Sequence, residues 1–138
     1  MGAWGDGPFD NDTAADWCGE LDHAAPASRH AIIRTALTTA ADNRGYLDYD
    51  DASPAVAAAA IIASRRSGGE PITSSYAPDF VLAGEPLDLD DDLSALAVAA
   101  LDRIVGNDSE WRSLWGEGGA TEFPIIERLR SVLSASAG

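Results

Sequence analysis

Ser53-Pro54-Ala55-Val56-Ala57-Ala58-Ala59-Ala60-Ile61-Ile62-Ala63 is the stretch that decides the fold. No side chain from Ala55 to Ala63 is polar, so a helix built from it is apolar on every side and has to be surrounded. Proline suits a first helical turn, which places the start at Ser53-Pro54. Arg65 and Arg66 fall in the expected last turn, where the helix dipole favours cations, and Gly68-Gly69 ends the run. Small alanine side chains let neighbouring helices come close. The segment belongs at the centre of a helical bundle.

The rest of the chain supplies the helices that surround it. Phe9 with Asp10 to Asn11 reads as a staple and cap opening a short helix through Leu21, with Trp17 on its inner face. After Pro26, the residues Ile32, Ile33, Ala36, Leu37, Ala40 and Ala41 recur at helical spacing until Asn43 and Gly45 stop the pattern. Glu70 to Pro86 reads as a long connection with a brief extended piece at Asp79 to Ala83, and connections of this length are often functional. A further stripe, Leu89, Leu93, Leu96, Ala97, Ala100, Leu101 and Ile104, is capped by Asp88 and ends before Gly106. Asn107 or Asp108 opens a short helix carrying Trp111, Leu114 and Trp115. Thr121 opens a last one in which Ile125, Ile126, Leu129, Val132 and Leu133 face inward, with fraying expected beyond. The expected fold is all-α: a single compact domain over residues 1–138, with five to six helices around the central Ala-rich one.

Composition removes several function classes. The 138 residues suffice for one domain with a real core, and 46% apolar with 23% charged residues is a globular balance. No apolar run is long enough to span a bilayer, and the first residues lack the basic-then-apolar pattern of a secretory leader. Asp6 stands where a myristoylation motif needs Ser or Thr. The lone Cys18 excludes an internal disulfide framework, so the expected location is the cytoplasm. Net charge is −14, and every basic residue is an arginine. Without lysine there is no Walker phosphate loop, Schiff-base enzyme or Ser-Lys dyad. Such an excess of acid opposes nucleic-acid binding, and it suits either solubility or a basic partner.

Carboxylates are the abundant reactive groups. Asp6, Asp10, Asp12 and Asp16 lie close together, and the last two share a helix face. Hard cations take such oxygens, yet the calcium-loop template fails. Started at Asp10 it meets Ala14 and Ala15 where a ligand and the glycine belong, and started at Asp88 it meets Leu93 in place of glycine. Capping is the simpler role for these residues. Cys18, His23 and His30 match no zinc spacing, and Cys18 beside Trp17 reads as a small buried side chain. No serine sits in a Gly-x-Ser-x-Gly turn. Gly2, Gly5 and Gly7 follow no strand and have acidic surroundings, which disfavours a phosphate cradle. No metal or cofactor is expected.

Residues 1–17 pack Trp4, Pro8 and Phe9 among glycines, which is costly for a terminus unless it is docked. Gly2, Trp4, Gly5, Gly7, Phe9, Asn11, Asp12, Asp16 and Trp17 resemble the opening of the bacterial domain-of-unknown-function family 4259, Met-Gly-x-Trp-Gly-x-Gly-x-Phe-x-Asn-Asp followed by an Asp-Trp pair. Asn107-Asp108-Ser109-Glu110-Trp111-Arg112-Ser113-Leu114-Trp115 is similar to that family's Asn-Ser-Glu-Leu-x-x-Leu-Trp pattern. Here Asp108 is inserted and Trp111 replaces leucine, whereas Glu110, Leu114 and Trp115 match. The resemblance spans essentially the whole chain. It implies a small cytoplasmic helical protein with no catalytic residue to carry over, and tryptophan-bearing motifs that pack together.

Small size, acidity and the lack of an assembled nucleophile favour a non-enzymatic interaction protein, of immunity or antitoxin type, binding a basic protein partner. Arg112, Tyr76 and Phe80 are the candidate contact residues. The alternative is a metal-dependent carboxylate enzyme built on Asp6, Asp10, Asp12 and Asp16.

Overall fold

The computed structural model describes residues 12–66, 69, 72, 77–85, 89, 92–106, 108–111 and 124–137. In chain order these form helices α1 (Asp12–His23), α2 (Arg29–Ala41), α3 (Tyr49–Ser64), α4 (Asp79–Leu82), α5 (Asp92–Ile104) and α6 (Pro124–Ala137). A 3-10 turn at Pro26–Ser28 leads into α2. Every residue from Ala55 to Ala63 is buried, and α3 packs against α1, α2, α5 and α6. Helix α5 also lies against α2 and α6, so the surrounding helices seal one another's edges. The result is a single helical domain with one core.

Each outer helix buries the stripe its spacing dictates. Ala14, Trp17, Cys18 and Leu21 face inward on α1, as do Ile33, Ala36, Leu37 and Ala40 on α2. On α5 the buried apolar set is Leu93, Ala97, Ala100, Leu101 and Ile104, and on α6 it includes Ile126 and Leu133. Helix α6 continues to Ala137, past Leu133 where fraying was expected.

Helix α1 runs two residues past the expected Leu21, and the segment from Tyr49 to Gly84 departs further from the sequence expectation. Helix α3 begins at Tyr49 instead of Ser53, so Pro54 lies inside it. Proline offers no N–H to the Asp50 carbonyl one turn back, and Asp50 is an exposed residue of the first turn. Arg65 and Arg66 lie beyond the last turn of α3 and reach away from it. Gly69 then folds over the helix end, donating its N–H to the Arg66 carbonyl. A Cβ there would stand 1.8 Å from the Ala63 oxygen, so only glycine fits. Finally, Asp79–Leu82 is a helical turn and not an extended piece. Gly84, at φ 73°, closes it, with N–H bonds from Gly84 to Val81 and from Glu85 to Phe80.

The proposed caps Asp10, Asn11, Asp88 and Thr121 lie outside the described residues, as do Trp4 and Phe9 with their expected docking.

Candidate functional site

Among the described residues, two junctions tie loops to the helices, and both are built on arginine. At the first, Arg29 is buried at the start of α2 and donates from Nε to the Leu21 carbonyl and from Nη2 to the Asp22 carbonyl, both at 3.2 Å. These are last-turn carbonyls of α1, where a cation meets the negative end of the helix dipole. The same guanidinium stands 3.9 Å over the Phe80 ring. The Asp22 carboxylate accepts from the N–H groups of Asp79 at 2.8 Å and Phe80 at 3.2 Å, which caps α4. Helix α4 is therefore started by a side chain on α1.

At the second junction, Leu47 and Ser109 form a parallel bridge, with bonds from Leu47 N–H to the Asp108 carbonyl and from Glu110 N–H to the Leu47 carbonyl. Asp108 takes φ 56° to allow this, a backbone state that Asp tolerates better than most residues. Glu110 then accepts the Tyr49 N–H at 2.7 Å and caps α3 from a segment far along the chain. Arg103 closes the junction from α5, donating to the carbonyls of Asn43, Gly45 and Asp108 and to Oδ1 of Asn43. Sequence reasoning gave Arg29, Asp22 and Arg103 no role, because nothing local marks a side chain that binds remote carbonyls.

Among the described residues, a trough lies open beside α2. Trp17, Ala31, Ile32, Ala36 and Pro54 supply apolar wall, while Ser28, Thr35, Thr39, Asp50 and Asp51 supply polar groups, around a volume of about 360 Å³. Asp50 accepts from Thr13 Oγ1 at 3.2 Å. The trough continues past Thr35 and Thr39 into a second depression of about 410 Å³ with Arg34, Thr38, Asp42 and Asn43. Arg34 is turned away onto the Asp92 carboxylate at 3.0 Å. That guanidinium holds the Asp92 carboxyl below its usual range.

Of the candidate contact residues, Phe80 is 2% exposed with its ring under Arg29, so it works in the core and is not displayed to a partner. Tyr76 and Arg112 lie outside the described residues. So do Asp6 and Asp10, while Asp12 and Asp16 are exposed on α1. Among the described residues, no three His, Cys, Asp or Glu side chains come together as a metal site. His23 Nδ1 lies 2.7 Å from the Gly19 carbonyl at the end of α1. Gly2, Trp4, Gly5, Gly7, Phe9, Asn11, Leu114 and Trp115 also fall outside the described residues. Trp17 and Trp111, one from each motif, are both buried in the shared core.

Cys18 is buried, and burial, reinforced by the negative charge of Asp22, pushes its thiol from 9.0 up to about 12. A thiol reagent at neutral pH should leave the folded protein unlabelled. The folded state holds this proton more tightly than the unfolded chain does. Its contribution is therefore complete below about pH 9 and is lost as pH rises towards about 12, at up to about 1.4 kcal/mol per pH unit. Cys18→Ala should flatten the alkaline fall in urea midpoints. An identical fall in both proteins would mean that other groups cause it.

No curated protein and no solved structure matches the chain. The family model described as domain of unknown function (DUF4259) matches residues 2–123, and the chain belongs to that family.

Proposed function

We propose that this chain is a non-enzymatic binding protein of the bacterial cytoplasm that covers a basic protein partner, in the manner of an immunity protein or antitoxin. The observation that supports this most is the use made of the arginines. Arg29 and Arg103 are turned onto backbone carbonyls of the chain itself, Arg66 onto Ser94 and Arg65 onto the Glu85 carbonyl. Arg34 and Arg130 are matched to Asp92 and Asp102. Meanwhile Asp12, Asp16, Glu20, Asp42 and Asp48 face solvent. Arg44 and Arg128 are exposed as well, but the chain as a whole carries −14. Such a surface accelerates encounter with a basic partner and repels an acidic one.

The test is affinity capture from the source bacterium with the full chain at low and at moderate salt, followed by reconstitution with the purified partner. The expected outcome is a basic protein that binds stoichiometrically and associates more slowly as salt rises. Captures that return no protein at either salt, with a divalent cation retained at one per chain, would replace this reading with the carboxylate enzyme.

A further inference from the structure

We propose that the trough beside α2 is where the basic partner docks, and that it receives an amphipathic helix with Lys or Arg flanking an apolar face. This rests on the reading of the chain as a binder of basic protein. The trough is two open depressions in a row from Ser28 to Asn43, adjoining at Thr35 and Thr39, which line both. At about 1.5 Å per helical residue, that is on the order of 20 Å of helix. A small molecule is better served by an enclosed pocket that removes most of its surface from water. A helix laid in a groove needs length, an apolar strip and matched charge at the edges.

The chemistry of the walls selects that occupant. Trp17, Ile32 and Pro54 offer apolar surface at one end, and Ala31, Thr35 and Thr39 are exposed short side chains that let a backbone approach. Asp50 and Asp51 stand beside the apolar end, and Asp42 lies at the other. Arg34, the cation on this rim, is held by Asp92. A second copy of the chain would bring another −14 charge to the same face, so the charge favours a basic occupant over self-association.

The test uses the full chain, isotopically labelled, with two synthetic helical peptides about five turns long. One carries Leu on one face and Arg at its flanks, and the other has Glu in place of each Arg. Amide shifts on adding the Arg peptide should cluster at Ser28, Thr35, Thr39 and Asp51, and the Glu peptide should cause none. Thr35→Arg should weaken binding at least tenfold, by obstructing the trough and repelling the peptide. Glu127→Gln, which changes net charge by the same amount on α6, should weaken it less than twofold. Equal weakening by both variants, or shifts spread over the acidic surface, would overturn the docking site. So would sedimentation showing a dimer that Thr35→Arg dissolves, because a second copy would then own the trough. A basic partner that binds the Thr35→Arg protein undiminished would sink the trough alone and leave the proposed function standing.

Discussion

Replacing Ala57, Ala58, Ala59 and Ala60 with leucine, one at a time, is expected to destabilise the protein at all four positions. Successive residues of a helix point about 100° apart, so these substitutions sample nearly the whole circumference of α3. All four alanines are buried, with Ala60 the least enclosed at 5% exposure. Leucine and alanine differ little in helix propensity, so the change acts on packing and not on the helix itself. Forcing extra methylenes into a close-packed interior costs about 1–3 kcal/mol. On an exposed face the same change stays within about 0.5 kcal/mol. For a domain of this size each kcal/mol moves Tm by roughly 3–5 °C. Thermal melts should therefore fall for every variant, least for Ala60→Leu. One variant that melts with the parent would mean that a side of α3 faces water.

That experiment probes the part of the fold most legible in the sequence. The stripes of α1, α2 and α5 were readable because burial at positions three and four apart requires apolar residues there, and few other arrangements produce that pattern. The start of α3 was not readable. Its cap is the Glu110 carboxylate, which no local rule connects to Tyr49, whereas Ser53-Pro54 offers a local start that the fold does not use. Helix α4 was missed for the same reason, since the side chain that starts it is Asp22. A single turn carries too little periodicity to stand out, and the Gly84 that closes it lies in a segment that reads as a connection.

The candidate site was less legible than the core. Phe80 stands in a long Pro-rich connection, and connections of that length are often functional. The Asp22 cap and the Arg29 guanidinium draw this one into the core. The trough has no motif: Thr35 and Thr39 look like any polar residues on the outside of a helix. It becomes a feature only when Trp17 of α1 and Asp50, Asp51 and Pro54 at the start of α3 are brought beside α2. Net charge, in contrast, was readable at once. What the sequence hid was its placement, because nothing local shows that Arg29 and Arg103 spend hydrogen bonds on backbone carbonyls.

Arg103 gives the sharpest test of that division of labour, and Arg103→Ala is expected to cost about 2–4 kcal/mol. A charged donor bonded to an acceptor contributes about 1.5–3 kcal/mol, and this half-buried guanidinium serves several acceptors in the two segments that meet at this junction. These acceptors, on Asn43, Gly45 and Asp108, are neutral groups, so the loss of their bonds should hardly change with salt. Arg34→Gln should behave differently. Its pair with Asp92 has side chains 34% and 67% exposed, so the effect should be small and fade as salt screens it. Lysine at position 103 should restore less than half of the lost stability, because an ammonium lacks the planar fork that reaches Asn43 and Asp108 together. Arg103 holds the Asp108 carbonyl and Glu110 caps α3 two residues further on, so both stabilise one junction. Combining Arg103→Ala with Glu110→Gln should therefore fall short of the sum of the single losses, by about 0.5–3 kcal/mol. Strict additivity in urea melts would show that the two residues act on separate parts of the fold, and the single-junction account of residues 43–49 and 108–110 would have to be abandoned.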